Sequence, residues 1–145
     1  MIAGLILTPL KKISHPKGDL MHGMKASSPG YQGFGEAYFS SVAKGEVKGW
    51  KNHSQMVLNL VVPVGHVRFV VHDLRQGSVT YGEFFDVVLG PDNYCRLTVP
   101  NGLWMAFQGI GDDLNLLLNM ASIEHDLNEA SNKALGEIDY DWTIQ

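Results

Sequence analysis

The segment Gly45-Glu46-Val47-Lys48-Gly49-Trp50-Lys51-Asn52-His53 sets two amines and an imidazole close together, immediately ahead of the apolar run from Met56 to Val64. An imidazole is the side chain that takes up or releases a proton near neutral pH unaided. An amine serves as a base only when desolvated enough to lose its proton, and is otherwise a fixed cation suited to a phosphate, a carboxylate or an enolate. Strand side chains alternate between faces, so Lys51 and His53 project the same way if the segment is extended. The spacing predicts a proton-moving pair at the mouth of a β scaffold, with His53 the first candidate for the base and Lys51 the second. A solvated strand face is the ordinary alternative. Lys48, in the same segment, is a candidate substrate-binding cation.

The elements that would hold these groups read as strands. The chain has 145 residues with 16 Gly and 6 Pro, and turn signals recur along it as in an all-β protein. Strands are expected over Gly35 to Val42, Met56 to Leu60, Val67 to Asp73, Glu83 to Leu89, Tyr94 to Val99, Leu103 to Gln108 and Leu114 to Ala121. The first seven residues also read as a strand, Val62-Pro63-Val64-Gly65 as a turn, and Asp126 to Leu135 as a weak helix. Antiparallel strands in this number bury their faces and edges by closing as a barrel or packing as a sandwich, and a jelly roll is the natural solution. One domain spanning residues 1–145 is expected.

Composition excludes several function classes. A formal net charge of −4 and scattered Lys and Arg argue against nucleic acid or an anionic membrane as partner. No apolar run approaches the ~20 residues that span a bilayer, and the start lacks a basic region, so a cytoplasmic protein is expected. The single cysteine, Cys95, lies in a strand pattern and reads as a buried, inert thiol. No metal and no cofactor are expected. Lys51-x-His53 breaks the His-x-His pair that many β-barrel metal sites use, and His66 and His72 stand too far apart along one strand to share an ion. No Gly-x-Ser-x-Gly elbow exists, and no helix follows Gly30-Tyr31-Gln32-Gly33-Phe34-Gly35 to make it a phosphate loop.

In order along the chain, five motifs stand out: Lys48-Gly49-Trp50-Lys51; Val64-Gly65; Val71-His72-Asp73-Leu74-Arg75; Ser78-Val79-Thr80-Tyr81-Gly82; and Val99-Pro100-Asn101-Gly102-Leu103-Trp104-Met105-Ala106-Phe107. From Gly18 to Ala121 this series resembles the dTDP-4-dehydrorhamnose 3,5-epimerase family, and most nearly its short branch found in surface-polysaccharide gene clusters. The resemblance implies an all-β cupin jelly-roll barrel or sandwich and a homodimer with exchanged N-terminal strands. It also implies a small-molecule ligand, a nucleotide-linked 4-keto-6-deoxy sugar, handled without a metal.

The same resemblance locates the site and shows departures within it. Lys51 stands where the family has its base histidine, Asn119 where it has its acid tyrosine, Leu58 where it has a lysine, and Met105 where it has a second histidine. The carboxylate that orients the base falls in a shortened C-terminal segment and is unassigned. Epimerisation beside a ketone needs a base, an acid on the opposite face and a stabilised enolate. Asn119 can hydrogen-bond an oxyanion or a sugar hydroxyl but cannot act as the acid, so Tyr38 is the candidate acid. Glu36, on the same strand face, is a substrate-binding candidate, with a cross-strand polar pair as the alternative. Trp104 and Phe107 line the pocket or serve as aromatic core. His22 stands near the place of a phosphate-holding arginine and is a weaker anion ligand. Two functions follow: an epimerase or keto-isomerase without the standard 3,5-epimerase machinery, or an inactive cupin that binds a sugar nucleotide, a glycan or a pathway partner. A purely structural dimer is a third reading.

Overall fold

The computed structural model describes residues 1–144. Its strands are β1 (Ile6–Pro9), β2 (Lys12–Ile13), β3 (Leu20–Met21), β4 (Glu36–Ser41), β5 (Val47–His53), β6 (Leu58–Val64), β7 (Val67–His72), β8 (Phe84–Leu89), β9 (Cys95–Val99), β10 (Trp104–Gly109), β11 (Leu116–Ala121) and β12 (Ala130–Asn132). Two five-stranded antiparallel sheets, ordered β1-β9-β6-β11-β4 and β12-β5-β10-β7-β8, face each other, and β2 pairs with β3 in a small hairpin. The architecture is an all-β cupin jelly roll.

Alternation builds the core. Leu58, Leu60, Val62, Leu97 and Leu117 of the first sheet pack against Val67, Phe69, Val71, Leu89 and Met105 of the second. Each such buried side chain contributes on the order of 1.5–3 kcal/mol. Cys95 lies buried among them, and burial pushes its thiol pKa up. The outer face of the second sheet carries its own apolar layer. Trp50, Val70 and Ala106 meet Ile138, Trp104, Tyr140 and Trp142, so the C-terminal segment lies across β5, β10 and β7. The Trp50 and Trp142 rings are 5.7 Å apart, and the Trp50 indole N–H donates to the Leu135 carbonyl at 3.2 Å. Tyr140 donates to Asp86 at 2.7 Å and accepts from Arg68 at 2.8 Å.

The N-terminal segment is tied down by a polar knot. Asp73, wholly buried, accepts from Arg75, Ser78 and Thr80. Arg75 in turn donates to the Ala3 carbonyl at 2.8 Å, and the Ala3 N–H donates to Thr80 Oγ1 at 3.1 Å.

Three expectations change. Asp126 to Leu135 is not a helix. Ala130–Asn132 is captured as a strand by β5, opposite Lys51 to His53, and only Leu135–Glu137 forms a single 3₁₀ turn. The N-terminal strand starts at Ile6, because Ala3 is held by the knot and Gly4 takes φ +87°. Strand β6 continues through Pro63 to Val64, and the turn falls at Gly65–His66. Pro63 lies beyond β6's pairing with β9 and within a register irregularity against β11, where a missing N–H donor is tolerated.

Candidate active site

A pocket of about 230 Å³ opens between the two sheets, bordered by Tyr38 and Ser40 of β4, Lys48, Gly49, Lys51 and His53 of β5, Leu58 and Leu60 of β6, Met105 and Phe107 of β10, and Leu117 and Asn119 of β11. Lys51 and His53 share the pocket as their spacing predicts. Lys48 joins them for a reason the spacing does not contain. Strict alternation would turn it away, but Met105 pairs with Lys51 while Phe107 pairs with Lys48, so β5 carries one extra residue in a bulge. Both lysines therefore face inward.

His53 is held by Glu129. The His53 Nδ1 contacts Glu129 Oε1, and the two side chains are only 11% and 4% exposed. Glu129 Oε2 accepts the backbone N–H groups of Gln55 at 3.1 Å and Met56 at 3.2 Å. Burial pushes the Glu129 carboxyl pKa up, but the hydrogen bonds from His53 and those two N–H groups outweigh it and hold the group below the ordinary glutamate value. A carboxylate at Nδ1 fixes the proton there and leaves the Nε2 lone pair free, the tautomer a general base requires.

Tyr38 stands on the other sheet. Its phenol oxygen accepts from Asn119 Nδ2 at 2.9 Å, which leaves its own proton available to donate. Asn119 is 2% exposed, and its Oδ1 has no hydrogen-bond partner among the described residues. A buried acceptor without a donor is costly, and a ligand hydroxyl at the pocket wall would satisfy it. Lys48 is engaged, donating to Ser40 Oγ at 2.9 Å and lying 5.8 Å from the Phe107 ring centre. Lys51 makes no side-chain hydrogen bond or ion pair among the described residues, so it is the pocket's uncommitted cation. The remaining walls are apolar.

The positions placed by the resemblance, Lys51, Leu58, Met105 and Asn119, all border this pocket. Other candidates lie elsewhere. Glu36, at the start of β4 opposite Ala121, is not among its walls. Trp104 projects to the opposite face of β10 from Met105, into the outer aromatic layer, with the Lys133 ammonium 5.0 Å from its ring centre. His22 borders a different hollow beside Arg96. Among the described residues no three His, Cys, Asp or Glu side chains converge as a metal site would require. Glu129, which holds His53, is the candidate residue that the sequence did not point to. The available signal was the turn at Asp126, whose carboxylate accepts the Asn128 N–H, just ahead of a segment too short to show periodicity.

Comparison with known proteins identifies the family. Residues 11–144 match the family described as dTDP-4-dehydrorhamnose 3,5-epimerase. A crystal structure of a dTDP sugar isomerase from Desulfovibrio desulfuricans is 36% identical, with a TM-score of 0.93 over 97% of this chain and 92% of that one. ChmJ, a 3'-monoepimerase from Streptomyces bikiniensis, shares the fold at 19% identity, with a TM-score of 0.83 over 90% of this chain and 70% of that one. The spore coat polysaccharide biosynthesis protein SpsL of Bacillus subtilis is 24% identical over 93% of this chain and 89% of its own length. The probable low-salt glycan biosynthesis epimerase Agl13 of Haloferax volcanii is 28% identical over 68% of this chain, which spans 64% of that protein. The chain belongs to the dTDP-4-dehydrorhamnose 3,5-epimerase family.

Proposed function

We propose that this protein moves a proton beside the ketone of a nucleotide-linked 4-keto-6-deoxy sugar, as an epimerase or keto-isomerase in glycan or polysaccharide biosynthesis. The observation that carries this reading is the His53–Glu129 pair on one sheet sharing a sugar-sized pocket with the Tyr38 phenol on the other. His53 Nε2 removes the proton next to the ketone. The electron pair passes to the ketone oxygen, and the Lys51 ammonium holds the resulting enolate. Tyr38 returns a proton, to the same carbon from the opposite face for epimerisation, or to C4 for keto-isomerisation as the C3 hydroxyl proton passes to the former ketone oxygen, and Asn119 Oδ1 accepts a sugar hydroxyl. Lys48 at the same wall favours the negatively charged nucleotide. Support for the substrate class comes from the family and from the 36% identical dTDP sugar isomerase. Support for the pathway comes from the glycan and polysaccharide roles named for two relatives.

The reading includes a homodimer in the cytoplasm. Edge strand β4 has no partner on its outer side among the described residues, and its Phe39 is 65% exposed, as a covering second copy would need. The standard double epimerisation is not expected, because Leu58 and Met105 make apolar wall where the family has polar groups.

Incubation in heavy water with dTDP-4-keto-6-deoxyglucose tests the reading. Deuterium at C3 or C5, or appearance of a 3-keto isomer, is expected, with the label lost in His53→Ala. No exchange with this substrate or its CDP counterpart overturns the catalytic reading, and tight calorimetric binding without exchange favours the inactive binder.

A further inference from the structure

On the outer face of the first sheet, away from the candidate active site, Arg96 is buried with no carboxylate beside it among the described residues. The residue is 1% exposed, and the three groups that accept from it are all neutral: Asn59 Oδ1 at 3.1 Å, the Gly23 carbonyl at 3.0 Å and the Pro29 carbonyl at 2.7 Å. A guanidinium carries five N–H donors, so these contacts leave two unused. It forms no ion pair among the described residues, and burial pushes its pKa down. A buried cation without a counter-charge is an unfavourable arrangement unless something else supplies one.

Arg96 borders a hollow of about 190 Å³ that also touches Thr8, Lys11, His22, Lys25 and Ser28, and no carboxylate is on its walls. Thr8 Oγ1 is buried there without a hydrogen-bond partner among the described residues. The hollow sits at the foot of the β2–β3 hairpin. Between Lys11 and Lys25 the chain has four lysines against one aspartate, in a protein whose formal net charge is −4. Local charge thus opposes the charge of the whole.

We infer that this hollow binds a phosphate-type oxyanion, with Arg96 and Thr8 as the floor and Lys11 and Lys25 as the rim. The anion accepts the spare guanidinium and hydroxyl donors and neutralises the cations around it. The site is separate from the substrate pocket of the same chain. Arg96 and Leu97 alternate on β9, as do Asn59 and Leu60 on β6, so Arg96 and Asn59 face outward where Leu60 lines the pocket. The inference therefore stands or falls independently of the proposed reaction. The oxyanion comes either from the diphosphate of a nucleotide or from inorganic phosphate or pyrophosphate.

Calorimetry at low ionic strength with inorganic phosphate, pyrophosphate, dTDP and ionic-strength-matched sodium chloride tests it on the whole protein. Saturable binding of phosphate or pyrophosphate but not chloride is expected. Lys25→Glu and, separately, Thr8→Val raise Kd tenfold or more, while melting temperatures without anion stay within a few degrees and Lys51→Met leaves this binding unchanged. Competition by dTDP that depends on Lys25 identifies the nucleotide as the source, and binding without such competition identifies the free oxyanion. An equal response to chloride, or full affinity in both Lys25→Glu and Thr8→Val, overturns the inference.

Discussion

Glu129 reaches His53 from 76 residues away in sequence, and backbone pairing of the next residue, Ala130, with His53 sets their separation. The carboxylate is fixed by the Gln55 and Met56 N–H groups as well as by the ring. Its removal should leave the imidazole in place but free its tautomer. Glu129→Gln is expected to lower kcat about 10–100-fold with little change in KM, as loss of a ring-orienting partner does elsewhere. Steady-state kinetics check this, and unchanged kcat would remove Glu129 from the machinery.

The same carboxylate makes a pH prediction. Its folded pKa is held below the ordinary value of 4.5, so the stability it contributes is present above that value and lost as pH falls through the folded pKa. Urea unfolding of the wild type and Glu129→Gln between pH 3 and 7 should show the gap between them narrowing towards the acid end. A gap that is constant with pH would contradict the assignment.

In the proposed reaction Tyr38 is the acid. Tyr38→Phe keeps the ring and removes only the transferable proton. It should reduce turnover by roughly 10²–10⁴-fold while leaving calorimetric affinity for dTDP within about threefold. Equal loss of both would make Tyr38 a binding residue instead.

Lys51 differs from Lys48 in having no partner among the described residues. Lys51→Met should slow the reaction by about 10²–10³-fold, the usual cost of losing one stabiliser of an oxyanion, and Lys51→Arg should recover part of it by restoring the charge. Full activity in Lys51→Met would assign the enolate to another group.

Asp73 anchors the N-terminal knot. The Arg75 guanidinium beside it, with hydrogen bonds from Ser78 and Thr80, outweighs burial and holds its carboxyl well below the usual range. Asp73→Asn should cost on the order of 3 kcal/mol, since it leaves Arg75 without its charged partner. Because the pKa is depressed, this contribution is present above about pH 4 and is lost at lower pH. Denaturant unfolding at pH 7, with proteolysis at residues 1–5 as a second readout, measures it.

Tyr140 titrates in the opposite sense. Burial, reinforced by its hydrogen bond to Asp86, pushes its pKa up to about 12. Spectrophotometric titration should show one tyrosine ionising near there, absent in Tyr140→Phe. With a raised pKa, its contribution to stability is complete below about pH 10 and disappears as pH rises through the folded value.

Much of the scaffold is legible in the sequence because it is locally encoded. Val67, Phe69 and Val71 alternate with Arg68, Val70 and His72, and the structure buries the first set in the main core. Gly90-Pro91-Asp92-Asn93 marks its turn in the same way. The site is legible in part, since Lys51, His53, Tyr38 and Asn119 meet in one pocket. Glu129 is hidden because a three-residue strand has no period of its own and exists only through pairing with β5. Trp104 is ambiguous because both faces of β10 are covered, one by the core and one by the C-terminal segment, so an aromatic residue suits either.

The single extra residue between Lys48 and Lys51 has a consequence for how specificity could change. Inserting one residue beside Ala106 in β10 would make the two strands equal in length here and change neither lysine. The bulge would then vanish, and Lys48, three residues from Lys51, would turn to the far side of the sheet, halving the positive charge offered to a bound anion. The relative length of β5 and β10 at this point therefore bears on anion acceptance as much as the identity of either lysine.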